Sequence, residues 1–93
     1  MYSRILKRIQ QKIRTRQYVM TLHAEEEMDD DELSISDVER CILTGEIIER
    51  QKDTDTEEWK YVIEGQSIGG DKVGIVTKLG ITGKLIIITV YVV

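Results

Sequence analysis

The chain has a single histidine, and its position makes it the first candidate for chemistry. His23 lies between Tyr18 and Met28, where a short strand pattern gives way to a helical one. Histidine is the side chain whose unperturbed pKa is closest to neutrality, so His23 is a candidate general acid or base. A structural role, in which the imidazole bonds backbone at the end of the strand, stays open.

Cleavage of RNA without a metal is one reaction that His23 could serve. Such a reaction needs a base for the 2′-hydroxyl, an acid for the leaving oxygen and cations for the charge on the phosphate. Tyr91 or Tyr61 is a candidate proton donor, although both tyrosines also fit a hydrophobic core. The candidate cations, which also fit solvated positions, are Lys60, Lys78 and Lys84.

Metal binding is a second chemistry that the same segment suggests. His23 and Glu27 are four residues apart and would share a helix face, with Glu26 close to both. They are too few to hold a divalent ion unless another element supplies a ligand, and the H-E-x-x-H spacing is absent. We therefore expect no resident metal or cofactor.

Charge is distributed unevenly along the chain. Residues 1–16 carry six cations and no acid, whereas residues 17–93 carry seven cations and all 17 acids. Seven of the eight residues from Glu25 to Glu32 are acidic, so the field around His23 should be negative and should repel nucleic acid. RNA could be attracted only by the N-terminal segment or by a patch of strand lysines.

The first 16 residues predict a basic amphipathic helix. Its cations lie opposite an apolar stripe with three- and four-residue spacing. The helix either docks on a sheet with a solvated basic face, or acts as an arm that binds RNA, a membrane or a partner. The stripe contains no Trp or Phe, which disfavours a membrane. Its members are Tyr2, Ile5, Leu6, Ile9 and Ile13.

Two further helices are predicted between the short strand at residues 18–21 and the later strands. One covers Leu22 to Glu32, where like charges at helical spacing should destabilise it. The next begins after Ser34, an N-cap that can form a capping box with Asp37, and ends at Gly45 in a left-handed C′ conformation. It should bury Ile35, Val38, Cys41 and Ile42.

From Gly45 onward the apolar spacing changes to that of strands. The last predicted strand is apolar on both faces and should lie at the centre of a sheet. We therefore predict an α+β fold, with the N-terminal helices on one face of a three- to five-stranded, mainly antiparallel sheet. One domain should span residues 1–93, with the basic helix at 1–16 and the α+β core at 17–93. The predicted strands cover residues 18–21, 46–50, 59–64, 73–79 and 84–92.

Composition indicates a soluble protein of a reducing compartment. Hydrophobic residues make up 41% and charged residues 32%, and the lone Cys41 can form neither an internal disulfide nor a zinc site by itself. No signal peptide pattern follows the basic N-terminus, and the longest apolar run, residues 85–93, is too short to span a membrane. We expect a cytoplasmic location and no membrane partner.

Several short motifs follow one another along the chain: Thr21, His23, Ala24 and Met28, then Ser34 with Asp37 and Val38, then residues 45–49, and finally Thr89, Val90 and Tyr91. Their order resembles an uncharacterised prokaryotic family, domain of unknown function 4258. The resemblance covers residues 18–92. Members of that family commonly carry arginines where this chain has Glu27 and Asp31.

The resemblance implies an element order similar to that of RelE-like toxins, which are small metal-independent ribonucleases of toxin–antitoxin systems. It also implies a partner, because family members are often encoded beside small zinc-finger proteins that look like antitoxins. The alternative is a non-enzymatic protein-binding module with an acidic interaction face, which the overall acidity and the changes at Glu27 and Asp31 favour. The sequence leaves both open and does not fix an oligomeric state. Lysines within reach of His23 would favour the ribonuclease, and acids alone around it would favour the binding module.

Overall fold

A computed structural model describes residues 2–93, which form three helices and five strands. The helices are α1 (Ser3–Arg14), α2 (Leu22–Asp30) and α3 (Ile35–Thr44). The strands are β1 (Tyr18–Met20), β2 (Glu46–Lys52), β3 (Trp59–Gln66), β4 (Lys72–Leu79) and β5 (Leu85–Val92).

The five strands form one mixed sheet in the order β1-β5-β4-β3-β2. Strands β2 to β5 pair antiparallel, and only the short β1 runs parallel to its neighbour β5. The helices pack on one side of the sheet, so the predicted fold class is confirmed. Strand β5 is interior, as its two apolar faces predict, although β4 occupies the middle position.

The core lies between the helices and the sheet. Helix α1 is amphipathic as predicted, because Ile9 and Ile13 are buried while most of its cations are exposed. Helix α3 lies over β3 and β4, and α2 lies over β5. No helix within residues 2–93 has the length and apolar character needed to cross a membrane. The buried residues of the sheet that face the helices include Tyr61, Ile63, Val73, Ile75, Leu85, Ile87 and Val90.

The start of α3 confirms one sequence prediction and corrects another. Ser34 and Asp37 form the predicted capping box, with the Ser34 hydroxyl accepting from the Asp37 N–H at 3.1 Å. Ile35 was expected in the core, but it is 53% exposed. It belongs to the first turn of α3, where the helix borders an open cleft, whereas Val38 and Ile42 are buried in the core.

The end of α3 differs from the prediction in backbone conformation. Gly45 is extended (φ −96°, ψ −176°) and not left-handed. A Cβ there would lie 2.4 Å from the Glu64 carbonyl oxygen and 2.6 Å from that of Cys41. A Cβ at Gly65 would lie 2.1 Å from the same Cys41 oxygen. The two glycines are therefore needed because α3 and the backbone of β3 approach closely.

Helices α1 and α2 both end in a Schellman motif whose left-handed residue is not glycine. Arg16 has φ 58° after α1, and Glu32 has φ 56° after α2. After α2, the Leu33 N–H donates to the Met28 carbonyl oxygen at 2.8 Å, which closes the motif. Helix α2 therefore ends at Asp30, two residues before the predicted end.

An irregularity in β5 fixes the start of α2. The β4–β5 register shifts so that Ile88 is left without a partner on β4. The Thr21 hydroxyl donates to the Ile88 carbonyl oxygen at 3.0 Å, and the Thr21 N–H donates to the Ile87 carbonyl oxygen at 3.0 Å. Thr21 is also the N-cap of α2, because its hydroxyl accepts from the Ala24 N–H at 3.1 Å. His23 is thereby held beside the edge of β5.

Candidate functional site

His23 is exposed and is paired with one carboxylate. Its side chain is 66% exposed, and its Nε2 lies 3.2 Å from Oε1 of Glu27, one turn further along α2. Within residues 2–93, Glu27 is the only carboxylate in contact with the His23 imidazole. The imidazole is therefore accessible to a ligand, and its single charged partner is an acid.

The same oxygen of Glu27 also anchors the sheet. Oε1 accepts from the Val90 N–H at 3.1 Å. Strand β1 ends at Met20, opposite Ile87, so it cannot pair with β5 as far as Val90. The carboxylate of Glu27 takes the place of a strand at this point. Sequence reasoning considered Glu27 only as a metal ligand and an altered family position, and it missed this structural role.

A metal centre is not assembled around His23. Across residues 2–93, no group of three or more His, Cys, Asp or Glu side chains is placed to hold an ion. His23 and Glu27 are brought together, whereas Glu26 is exposed on the outer side of α2. The Glu27 carboxylate therefore contacts His23 and the Val90 N–H, and it connects α2 to the backbone of β5.

Two of the three lysines proposed as candidate cations are neighbours in the sheet. Lys60 on β3 lies directly opposite Lys78 on β4. Lys60 Nζ is 3.4 Å from Oδ2 of Asp53, and Lys78 Nζ is 3.4 Å from Oε1 of Glu58. Each positive charge is thus already balanced by a carboxylate of the β2–β3 hairpin, and neither ammonium group is left as a bare phosphate ligand.

Tyr91 lies on the sheet face that points away from the helices. It is opposite Gly74 in the β4–β5 ladder, and its ring lies over that glycine, where a Cβ would be 2.1 Å from the ring atom Cζ. The pKa of the Tyr91 phenol is raised mainly by burial and, to a smaller extent, by the negative charges of Glu64 and Glu49. Tyr91 is therefore a weaker proton donor than an ordinary tyrosine at neutral pH.

The predicted catalytic residues do not converge on one place. Lys60, Lys78 and Tyr91 share the open face of the sheet, and positions 78 and 74 are about 13 Å apart along β4 at about 3.3 Å per residue. His23 lies in the helix layer on the other side. Tyr61 is a core residue, 8% exposed, and Lys84 is exposed just before β5.

A cleft beside α2 brings apolar and acidic groups together. Its volume is about 330 Å³, and it opens between α2, β1 and the start of α3. Glu25 and Asp29 are one turn apart on α2, and both line the cleft. We call it the acidic cleft, and its remaining lining residues are Met20, Met28, Leu33, Ser34 and Ile35. The sequence showed the acidic run but not the apolar surface beside it, which three separate elements supply.

The fold and these surfaces define a small α+β domain with helices on one face of a mixed sheet. The chain belongs to the family described as Domain of unknown function (DUF4258), whose family model matches residues 20–92. The resemblance found in the sequence is thereby confirmed. Helix α1 lies before the matched region. No curated protein and no solved structure matches the chain.

Proposed function

We propose that this chain is a protein-binding module whose acidic cleft recognises a basic and apolar segment of a partner protein. The observation that carries the proposal is the combination of acidic and apolar groups in one cleft, where Glu25 and Asp29 stand beside Met28 and Ile35. A partner segment with lysine or arginine next to apolar side chains would match both kinds of group.

Charge supports this choice of partner. Of the seven acids from Glu25 to Glu32, only Glu27 contacts a basic side chain within residues 2–93, and that side chain is His23. Like charges at i,i+4 spacing destabilise a helix by roughly 0.2–0.5 kcal/mol for each pair. A cationic partner would remove this repulsion and would be guided to the cleft by the negative field.

The apolar part of the cleft supports a peptide rather than a simple ion. Methionine side chains are flexible and polarisable, so Met20, which is partly exposed at the cleft, can adapt to partner side chains of different shapes. Ile35, half-exposed in the free chain, supplies apolar surface that a bound segment would cover. A small zinc-finger protein of the antitoxin-like kind, with a basic segment, is the partner class that we propose.

The test is calorimetric titration of the full chain with a helical peptide of lysine and leucine, and with a matched peptide of glutamate and leucine. We expect the first to bind and the second not to bind. The double variant Glu25→Gln, Asp29→Asn should weaken binding at least tenfold. The control double variant Glu26→Gln, Asp30→Asn removes the same charge outside the cleft lining and should change binding less than threefold. Equal losses in the two variants, or no binding by the unmodified chain, would refute the proposal.

A second candidate function is metal-independent RNA cleavage by a toxin of a toxin–antitoxin pair. The observation that favours it is the orientation of His23, whose imidazole is exposed while Glu27, itself held by the Val90 N–H, contacts Nε2. A carboxylate can fix the orientation of a catalytic imidazole in this way. The paired lysines and the acids around His23 disfavour this function, because little positive charge is left for the phosphate.

Cleavage of total RNA by the purified chain tests the second candidate. A chelator is present throughout, and His23→Ala is the matched control. Cleavage that is lost in His23→Ala would establish a ribonuclease centred on His23. If neither protein cleaves RNA above the background level, the ribonuclease function is excluded.

A further inference from the structure

We propose that a second surface, formed by α1 and the β2–β3 hairpin, binds single-stranded nucleic acid. We call it the α1–hairpin surface and define it by Tyr2, Arg8, Arg50, Lys52 and Trp59. It goes beyond the proposed protein-binding function, because it lies on other elements and carries the opposite charge.

Aromatic rings and cations alternate on this surface. The guanidinium carbon of Arg50 lies 4.0 Å from the centroid of the Trp59 ring and 5.9 Å from that of Tyr2. Lys52 Nζ lies 5.8 Å from the Trp59 centroid. Arg50 thus connects the hairpin to the start of α1, and four of the side chains form one continuous group.

A groove beside Trp59 completes the surface. It has a volume of about 280 Å³ and is lined by Trp59 and Tyr61 on the strand side and by Ile5 and Arg8 on the helix side. Trp59 is 39% exposed, so part of its ring is available although Arg50 covers it closely. A planar base could enter the groove and contact the indole, with Arg8 placed near its phosphate.

The cations of the N-terminal segment lack internal counterions. Residues 2–16 contain six cations and no acid, and within residues 2–93 none of these cations forms an ion pair. Two acids, Glu57 and Glu58, also line the groove, but Glu58 is paired with Lys78. Arg8, Arg50 and Lys52 outnumber Glu57, which forms no ion pair within residues 2–93, so the net charge of the surface is positive and phosphates are suitable counterions.

The structure favours a single strand over a membrane or a duplex. Ile9 and Ile13 of the apolar stripe of α1 are buried in the core. The helix therefore cannot insert that stripe into lipid. Stacking on an exposed aromatic ring requires unpaired bases, which a duplex does not offer. Proteins that bind single-stranded nucleic acids commonly combine aromatic rings with cations on one surface.

Trp59 gives the test a local signal, because it is the only tryptophan of the chain. The unmodified full chain is titrated with single-stranded oligouridylate and with a duplex RNA of equal length, while tryptophan fluorescence is recorded. We expect the single strand to quench the fluorescence and to bind more tightly than the duplex. Its affinity should fall with salt, with a log–log slope of about −0.7 for each phosphate contacted.

Variants locate the interaction on the α1–hairpin surface. Arg8→Glu should weaken binding at least tenfold, whereas the matched control Arg40→Glu, an exposed cation on α3, should change it less than threefold. Trp59→Ala should reduce the affinity for the single strand about tenfold or more, as measured by the fluorescence anisotropy of a labelled oligonucleotide. Absence of quenching, equal binding of the duplex, or equal losses in Arg8→Glu and Arg40→Glu would refute the proposal. Loss of peptide binding at the acidic cleft is measured separately, so either proposal can fail alone.

Discussion

Substitution of Glu27 tests whether its carboxylate is a structural anchor of β5. Glu27→Ala leaves the N–H of Val90, a fully buried residue, without its acceptor. An unsatisfied buried donor costs about 1–3 kcal/mol. Removal of one charge also relieves repulsion from Asp31, four residues later, by roughly 0.2–0.5 kcal/mol. We therefore expect a net loss of about 0.5–2.8 kcal/mol in the free energy of unfolding.

Urea unfolding followed by circular dichroism at neutral pH measures this loss. Each kcal/mol should also lower the melting temperature by about 4–8 °C in a domain of this size. The matched control is Glu26→Ala, which removes an exposed carboxylate from the same helix and should leave stability nearly unchanged. Glu27→Gln retains an oxygen acceptor and should recover most of the loss.

Two further observations separate an anchor from a catalytic role for Glu27. His23→Ala should cost little stability, because the bond between Glu27 and Val90 does not involve the imidazole. Amide hydrogen exchange at Val90 should accelerate in Glu27→Ala and not in His23→Ala. If Glu27→Ala is as stable as Glu26→Ala and the Val90 amide stays protected, the structural role assigned to Glu27 is wrong.

Three other predictions concern stability and reactivity. Glu32→Gly should raise the free energy of unfolding by about 1 kcal/mol in urea titrations, because glycine adopts φ 56° without strain; an unchanged or lower value would contradict this. Burial raises the pKa of the Cys41 thiol to about 11, so a disulfide reagent should modify it at neutral pH only after unfolding; rapid labelling of the native chain would contradict its burial. Hydrogen bonds from the Ser34 and Ile68 N–H groups lower the pKa of Asp37. The stability that they provide is present above the unfolded pKa of about 3.9 and is lost as pH falls through the lower folded pKa. Asp37→Asn should therefore be less stable at neutral pH and should lose less on acidification, which unfolding curves between pH 2 and 7 measure; parallel curves for both proteins would contradict this.

Local patterns in the sequence were sufficient to predict much of the fold. The capping box of Ser34 and Asp37 depends only on residues three apart, and the apolar stripe of α1 only on helical spacing. The interior position of β5 follows from its apolar residues on both faces, and the family match agrees with the motif order.

Contacts between distant elements were not predictable from such patterns. The hydrogen bond from the Val90 N–H to Glu27 joins positions 63 residues apart. It forms because β1 ends at Met20 and leaves this part of β5 without a neighbouring strand. The need for glycine at position 45 depends on the backbone of Glu64, which passes close to the end of α3. The candidate site therefore differed from expectation, because the residues that contact one another there come from distant parts of the chain.

Reversal of charge in the acidic cleft tests the proposed function most directly. The variant Glu25→Lys, Asp29→Lys is titrated with the lysine–leucine and glutamate–leucine peptides, beside Glu26→Lys, Asp30→Lys as control. We predict that the cleft variant loses affinity for the basic peptide and gains affinity for the acidic one, while the control keeps its preference for the basic peptide. If the cleft variant still binds the basic peptide as the unmodified chain does, the acidic cleft is not the recognition surface.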